Sequence, residues 1–263
     1  MNYNDLLKQN WISVFSENIK KGIVKPLDDG RFLSKRSLMI DVPWLYVNFK
    51  ESYNTSKDGE ELCDTYHEYF TKKLGFIHSH CHECYKVVVQ PRTIKELYQL
   101  YKVMQDLKFP SKCGIEIRSY VPRLYGGYFY NRGLNQGKDR YSIIKTVVHS
   151  RISPEIEVIL KRGCSEFEMQ FGRSDKWRIL DGQEKIEEKF NNLYIQENAG
   201  AIEYPSHFKA NTKIMWLYFA ANAKPPDMTY LEFTDGEPLT PQVKYVTYHE
   251  TEIKKSSKDN ELS

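Results

Sequence analysis

Residues 84–118, with the sequence CYKVVVQPRTIKELYQLYKVMQDLKFPSKCGIEIR, carry the clearest succession of secondary-structure patterns in the chain. Residues 85–90 are rich in β-branched side chains and are followed by proline, which predicts a short strand. Thr93 and Glu96 have the spacing of a helix capping box, and the apolar residues that follow recur at helical intervals. A second strand is expected to open at Cys113. The stretch therefore predicts a β-α-β unit, which is right-handed and parallel if both strands share a sheet.

The flanking sequence extends this unit into a mixed sheet with helices packed around it. Hydrophobic periodicity predicts the other elements of this region. They are N-terminal helices at 4–21 and 59–73, a strand at 39–47, a helix at 136–150, and a hairpin whose strands are 156–160 and 166–171. The fold class expected from these elements is α/β or α+β.

Composition changes near residue 178, which is the best candidate for a domain boundary. We predict an α/β core with an N-terminal helical layer over 1–178 and an acidic, β-rich C-terminal part over 179–263. The C-terminal strands are expected at 213–220, 229–233 and 243–249, before a loose polar tail at 254–263. Because 263 residues fit one or two domains, the two parts can also form a single domain.

The small net charge of +3 hides an uneven distribution along the chain. Residues 111–178 hold 13 Lys and Arg against 7 Asp and Glu, whereas residues 179–263 hold 9 against 14 and contain no Arg. Arginine suits bidentate contacts to phosphate and carboxylate groups. The basic middle third therefore indicates an anionic partner, and the alternative is that the acidic third neutralises it within one globule.

Several classes of protein are disfavoured by patterns that the sequence lacks. No window contains 18 uncharged apolar residues, and the first residues lack the basic and apolar regions of a signal peptide. We therefore expect a cytoplasmic protein without a membrane span. The sequence has no phosphate-binding P-loop and no G-x-S-x-G motif, so P-loop nucleotide hydrolysis and serine nucleophilic chemistry have no support.

Four of the five cysteines are candidates for a metal centre. Cys81 and Cys84 have the C-x2-C spacing that lets two thiolates occupy two corners of a tetrahedron. Cys113 opens the second predicted strand and Cys164 lies in the turn of the predicted hairpin, so all four sulfurs are expected at one end of the sheet. Four thiolates suit zinc, which we favour, or an iron–sulfur cluster. Buried structural thiols and a redox dithiol are the alternatives, and Cys63 is expected to serve only in packing.

Three alternating histidines, His78, His80 and His82, precede the first strand of the β-α-β unit. On an extended chain they share one face, where one of them can replace a cysteine ligand or orient one. They can also form an open catalytic metal site, with Glu83 or Glu116 as the general acid or base. The alternative is a set of solvated polar residues on an exposed strand.

The segment 119–135 is expected to be a loop rich in aromatic and basic residues. Its Gly126 and Gly127 let the backbone approach a partner closely, while tyrosines offer stacking faces and arginines contact phosphates. The candidate nucleic-acid or phosphate-binding residues are Arg118, Arg123, Arg132, Arg140, Tyr125, Tyr128 and Tyr130. A loop folded over the core is the alternative.

These features fit three functions. The first is a zinc-binding protein that contacts nucleic acid through the basic, aromatic surface of residues 111–178. The second is a metalloenzyme with an iron–sulfur cluster or a histidine-rich site. The third is a subunit of a larger assembly whose tyrosine-rich surface is buried against a protein partner.

Overall fold

A computed structural model of the chain describes residues 3–35, 43–48, 63–197 and 206–239. Within these residues helices and strands are interspersed along the chain, and the strands form two sheets. The expected mixed α/β class is confirmed.

The described residues form eight strands, nine α-helices, one π-helix and two 3₁₀ turns. In chain order the strands are β1 (Val24–Pro26), β2 (Phe32–Lys35), β3 (Trp44–Val47), β4 (Cys84–Gln90), β5 (Ser111–Ile115), β6 (Tyr125–Arg132), β7 (Glu157–Arg162) and β8 (Tyr194–Glu197). The α-helices are α1 (Tyr3–Leu7), α2 (Trp11–Lys20), α3 (Cys63–Tyr66), α4 (Ser79–His82), α5 (Ile94–Leu107), α6 (Gly133–Arg151), α7 (Ser165–Phe171), α8 (Gln183–Leu193) and α9 (Ser206–Asn222). The π-helix over His67–Leu74 continues α3, and the 3₁₀ turns cover Ser174–Lys176 and Met228–Phe233.

The larger sheet has the strand order β3-β5-β6-β4-β7, and every neighbouring pair in it is antiparallel. Strands β4 and β5, which flank α5, therefore run in the same direction within one sheet, as the β-α-β pattern predicts. They are not neighbours, because β6 lies between them and pairs with both. This is the split arrangement, in which another strand is inserted between the two parallel strands of a β-α-β unit.

The larger sheet has two different faces, because side chains alternate along each strand. One face, which we call the helix face, packs against α5, α6 and α9 and contains the main hydrophobic core. Its most deeply buried members are Val87, Val89, Cys113, Ile115 and Phe129 from the strands and Leu100, Met104, Ile144, Val148 and Trp216 from the helices. The opposite side, which we call the second face, bears the side chains of Trp44, Lys86, Lys112, Tyr128 and Lys161.

The segment predicted as an aromatic loop is mostly the central strand β6, and residues 119–124 alone form the turn before it. Tyr125 and Phe129 belong to the main core. Gly127 lies so close to α5 that a Cβ atom added there would meet Leu100 Cδ2 at 2.5 Å. This glycine therefore permits close packing of a helix on the sheet, rather than a flexible approach to a partner.

A second hydrophobic cluster lies around the smaller sheet, in which β2 pairs antiparallel with β1 and parallel with β8. Aromatic rings dominate this cluster, and the ring centroid of Phe15 lies 4.6 Å from that of Phe32 and 4.8 Å from that of Tyr69. The Asn10 side chain accepts a hydrogen bond from the Ile12 backbone N at 3.0 Å and caps α2. The predicted N-terminal helix is therefore two helices.

The predicted hairpin around Cys164 is wrong, because its second half is the helix α7. Phe167 and Phe171 are four residues apart and both contact the second cluster, a helical spacing that outweighs the alternation of polar and apolar residues. The Phe167 ring meets the Trp177 ring edge-on at a centroid distance of 5.9 Å. The first half of the predicted hairpin is β7, which pairs with β4 instead.

The β-rich character expected of the C-terminal part is also wrong in the described residues. Residues 213–220 belong to α9, in which Thr212, Trp216 and Ala220 are spaced by four and are all buried. Residues 229–233 lie in a 3₁₀ turn, and the segments 243–249 and 254–263 lie outside the described residues. The part after residue 178 contributes α8 to the second cluster and α9 to the main core.

The other predicted elements agree with the structure where it describes them. The helices at 59–73 and 136–150 correspond to α3 with its π-helix and to α6, and the strand at 39–47 corresponds to β3. Gly75, with a φ of 78°, ends the π-helix. None of the helices in the described ranges combines the length and the apolar character required to cross a bilayer.

Candidate functional site

The four cysteines predicted to share a metal centre do not converge. Cys84 lies opposite Arg132 of β6, whereas Cys113 lies opposite Gly127 of the same strand. Five positions along a strand correspond to about 17 Å. The two cysteines also face opposite sides of the sheet, since Cys113 belongs to the main core. The prediction that Cys113 joins the other three is wrong because β6 separates β4 from β5 and fixes this register.

The remaining predicted ligands surround the ammonium group of Lys86. Cys81 and Cys84 are buried, Cys164 is half-buried, and Lys86 Nζ lies 3.0 Å from Cys164 Sγ. Burial, together with the nearby Cys164 and Cys84, raises the pKa of the Cys81 thiol well above its usual range. In the part of the chain that the structure describes, no group of three or more His, Cys, Asp or Glu side chains is arranged to hold a metal ion. The described residues therefore do not assemble the expected zinc or iron–sulfur centre, and metal binding stays a prediction.

The three histidines lie at one helical turn rather than on an extended strand, so the expected metal-binding face is wrong. His78 precedes α4, and its Nδ1 atom accepts a hydrogen bond from the His80 backbone N at 3.0 Å. The His78 ring stacks on Tyr66 at a centroid distance of 3.9 Å, and His82 Nδ1 lies 3.4 Å from Arg162 Nη2. Burial lowers the pKa of His82, and it lowers that of His78 to about 3. Both imidazoles are therefore neutral packing groups at neutral pH.

A buried carboxylate fixes this histidine turn. Glu187 of α8 accepts hydrogen bonds from the Ser79 backbone N at 2.7 Å, from Ser79 Oγ at 2.5 Å and from Gln183 Nε2 at 2.7 Å. A carboxylate at the first residue of α4 satisfies a backbone N–H that has no partner within the helix. The histidine segment thus serves as a structural link between α4 and α8.

Two of the predicted nucleic-acid contacts lie on the helix side of the larger sheet. Tyr125 is buried in the main core, and its hydroxyl donates a hydrogen bond to Asp227 Oδ2 at 2.7 Å. Arg140 of α6 donates to the Tyr130 carbonyl at 3.1 Å and lies over the Phe109 ring, with Cζ 4.5 Å from its centroid. These two residues are therefore separated from the surface they were predicted to form, because the segment is a strand whose neighbours alternate between faces.

The other predicted contacts lie on the second face or at its edges. Tyr130 is buried there, and Arg132 is the last residue of β6. Arg123 lies in the turn before β6, where its Nη2 atom is 3.5 Å from a glutamate of β7. Tyr128 and Arg118 lie side by side, because Arg118 Nη2 donates a hydrogen bond to the Tyr128 hydroxyl at 3.1 Å.

Four aromatic rings and two cations form a continuous row across the second face. Lys112 Nζ lies 5.4 Å from the centre of the Tyr46 ring and 4.9 Å from that of the Trp44 ring. The Trp44 and Tyr128 ring centroids are 5.7 Å apart. The row begins on β3, crosses β5 and β6, and ends in the segment after β5. We call it the ring–cation row, and its members are Tyr46, Lys112, Trp44, Tyr128, Arg118 and Tyr120.

Two carboxylates fix the Arg118 end of the ring–cation row. Arg118 Cζ lies 6.0 Å from the centre of the Tyr128 ring and 5.7 Å from that of the Tyr120 ring. Glu116 accepts a hydrogen bond from Arg118 Nε at 2.7 Å, and Glu166 accepts one from Nη1 at 2.9 Å. Burial would raise the pKa of Glu116, but its bonds to Arg118 lower it, so this carboxylate is ionised at neutral pH. The guanidinium is thereby held in one orientation.

Three members of the row, Trp44, Tyr46 and Lys112, are not singled out by the sequence patterns. The alternation in residues 44–47 places the two aromatic side chains on one face of a strand, and this signal is present in the sequence. Lys112 joins them because it lies opposite Tyr46 in the register of β3 with β5. No local pattern reveals that pairing.

Comparison of the chain with family profiles, with curated proteins and with solved structures finds no match.

Proposed function

We propose that the chain binds single-stranded nucleic acid along the ring–cation row of the second face. The observation that supports this is a continuous row of four rings and two cations, with neighbours 4.9 to 6.0 Å apart, across three strands and the segment after β5. A single strand of nucleic acid presents the complementary series, in which flat bases alternate with phosphates. Aromatic side chains stack on bases of any sequence, and lysine and arginine contact phosphates.

The charge around the row agrees with an anionic partner. The row contains two cations, one of which is bonded to Glu116 and Glu166, and it lies in or beside residues 111–178, where 13 Lys and Arg outnumber 7 Asp and Glu. Arg118 shares its charge with Glu116 and Glu166, so it mainly orients the neighbouring rings. Lys112, whose Nζ atom lies between the Trp44 and Tyr46 rings, is the phosphate contact assigned in this proposal.

The central rings are held in place before a ligand binds. Trp44 is only 7% exposed, so it supports the neighbouring rings rather than stacking on a base, and the Tyr128 hydroxyl donates a hydrogen bond to Glu116 Oε2 at 2.9 Å. Side chains that are already ordered lose little conformational freedom on binding. Tyr120, at 40% exposure, is the member that can adjust to the ligand.

A binding titration with a labelled single-stranded oligonucleotide, prepared as DNA and as RNA, tests the role of the rings. Tyr128→Leu removes a stacking face and should weaken binding about 5- to 150-fold, since one base stacked on an aromatic ring contributes about 1–3 kcal/mol. Tyr128→Phe keeps the ring and should keep most of the affinity. Lys145→Gln is the matched control, because it removes a lysine that lies 5.5 Å from the Tyr141 ring on α6 and should not change binding.

The salt dependence of the same titration tests the role of the cations. Affinity should fall as salt rises, and Lys112→Gln should make the slope of log affinity against log salt shallower by about 0.7, which is the contribution of one phosphate contact on a single strand. The proposal is contradicted if neither DNA nor RNA binds, if affinity does not depend on salt, or if Tyr128→Leu binds as tightly as the unmodified chain.

The two other functions considered from the sequence receive less support. A metalloenzyme would need the histidine or the cysteine set around one point, and the described residues assemble neither. A role as a subunit of a larger assembly stays a prediction.

A further inference from the structure

A buried ammonium group lies beside a cysteine in a part of the second face outside the ring–cation row. Lys86 is 9% exposed and lies opposite Tyr130 of β6 and Lys161 of β7. Its Nζ atom donates a hydrogen bond to Cys164 Sγ at 3.0 Å and lies 5.3 Å from the centre of the Tyr130 ring. The close contacts of this ammonium are thus a sulfur atom and the face of a ring.

The neighbouring lysine shows the usual alternative. Lys161 on β7 binds Ser165 Oγ at 2.8 Å and Glu168 Oε2 at 3.4 Å, so its charge is balanced by a carboxylate. Among the described residues, the charges that act most strongly on Lys86 are instead those of sulfur atoms. A buried charge without a countercharge is costly, which favours an anionic sulfur next to the Lys86 ammonium.

The electrostatics of the site agree with a charged lysine. Burial lowers the pKa of Lys86, but the nearby sulfurs of Cys164, Cys84 and Cys63 more than compensate and raise it well above its usual range. The Lys86 ammonium is positioned to stabilise a thiolate at 3.0 Å.

Access distinguishes Cys164 from Cys81 and Cys84, and the hydrogen bond from Lys86 distinguishes it from Cys63. Cys81 and Cys84 are 5% and 4% exposed, whereas Cys164 and Cys63 are half-buried. A reactive cysteine needs both a nearby positive charge and a path for the reagent. Cys164 combines the hydrogen bond from Lys86 with partial exposure.

We propose that Cys164 is a peroxide-reactive thiolate that Lys86 activates. The thiolate sulfur attacks one oxygen of hydrogen peroxide, so that an S–O bond forms while the O–O bond breaks. The transferred hydroxyl group stays on the sulfur, which is oxidised to a sulfenic acid. The peroxide is reduced, and the departing hydroxide takes a proton from solvent and becomes water. No step of this reaction requires nucleic acid, so the proposal is independent of the proposed binding function.

The test treats the full chain with hydrogen peroxide at neutral pH, traps sulfenic acid with dimedone, and locates the adduct by peptide mass spectrometry. The adduct is expected on Cys164. Lys86→Met should slow its formation about tenfold, because a cysteine without a stabilising cation is only a few per cent ionised at neutral pH. Methionine has a similar length and no charge, and apolar replacements of buried charged groups are commonly tolerated.

Matched variants make the result specific. Lys161→Met removes a lysine from the same face, opposite Lys86 on the neighbouring strand, and should leave the rate at Cys164 unchanged. Circular dichroism checks folding, and Lys86→Gln gives the same comparison if Lys86→Met does not fold. In the unmodified chain, Cys164 should react faster than the half-buried Cys63. Absence of an adduct on Cys164, faster reaction of Cys63, or an equal rate after removal of the Lys86 ammonium would overturn the proposal.

Discussion

Gly114 determines how closely the edge strand β3 can approach β5. It lies opposite Trp44, and a Cβ atom added there would be 2.3 Å from the Pro43 carbonyl oxygen. That oxygen accepts a hydrogen bond from the indole N–H of the fully buried Trp216 at 2.6 Å, so it cannot move without losing this bond. We predict that Gly114→Ala lowers the free energy of unfolding by about 3 kcal/mol, measured by urea denaturation.

Gly126 provides the control, because it lies directly opposite Gly114 on β6. The nearest atoms to a Cβ atom there belong to the Tyr128 side chain, at distances between 3.3 and 3.5 Å, so a shift of a few tenths of an ångström relieves the contact. Gly126→Ala should therefore cost less than about 1 kcal/mol. Equal losses for the two alanine variants would contradict the role assigned to the Pro43 carbonyl.

Single residues also show why the sequence alone does not reveal which side chains are exposed at the site. Tyr125, Tyr128 and Tyr130 are equivalent candidates in a segment interpreted as a loop. In the strand, alternation sends Tyr125 into the main core and the other two to the second face. Tyr130 is then buried near Lys86, which depends on the pairing of β4 with β6. The sequence identifies these residues as tyrosines in an aromatic segment, but which of them are exposed depends on how strands that are distant in the chain pair.

Asp227 connects three elements at the N-terminus of α5. Its Oδ2 atom accepts hydrogen bonds from the Ile94 backbone N at 2.5 Å and from the Tyr125 hydroxyl at 2.7 Å, and Oδ1 accepts one from the Thr229 backbone N at 3.1 Å. Asp227→Ala removes these three bonds and a fourth, from the Thr229 hydroxyl at 2.8 Å, and leaves the Tyr125 hydroxyl buried without this partner. We predict a loss of about 3 kcal/mol in the free energy of unfolding, measured by urea denaturation.

The control for this variant is Asp106→Ala at the far end of α5. The Asp106 carboxylate is 57% exposed and forms an ion pair with Arg151 at 2.6 Å, a type of contact that contributes less than about 1 kcal/mol. If Asp227→Ala were no more destabilising than Asp106→Ala, the link between α5 and the C-terminal 3₁₀ turn would contribute little to the free energy of unfolding, which would contradict this prediction.

The elements that sequence predicts correctly are those in which independent local signals agree. At α5 the cap and the apolar stripe coincide, and Thr93 Oγ1 accepts a hydrogen bond from the Glu96 backbone N at 3.2 Å. In α7 the signals conflict, because the alternating residues 166–171 also place Phe167 and Phe171 on one helical face. The insertion of β6 between β4 and β5 has no local signal, and it is what moved Cys113 away from the predicted centre.

For the whole molecule, two sets of titratable groups link stability to pH. Burial lowers the pKa of His67, His78 and His82, so the folded chain keeps them neutral where the unfolded chain binds protons, below about pH 6.5. The pKa of the Glu116 and Glu166 carboxyls is lowered despite their burial, by bonds from Arg118 and Tyr120. In both sets the unfolded state binds more protons as the pH falls, so stability is highest above about pH 6.5 and decreases toward acid, first through the histidines.

His78 gives the sharpest test of this linkage. Glu187 lies 3.8 Å from its Nε2 atom but already accepts three hydrogen bonds, so burial governs and its pKa falls to about 3. Between about pH 6.5 and pH 5, His78 should therefore lower the free energy of unfolding by about 1.4 kcal/mol per pH unit. Urea denaturation of His78→Asn should show lower stability at neutral pH, because the stacked ring is lost. Between about pH 6.5 and pH 5, its free energy of unfolding should depend less steeply on pH, by about 1.4 kcal/mol per pH unit, because unfolding takes up one proton fewer. Asparagine retains a side-chain acceptor for the His80 backbone N, so the cap of α4 can persist. A slope in His78→Asn equal to that of the unmodified chain would contradict this linkage.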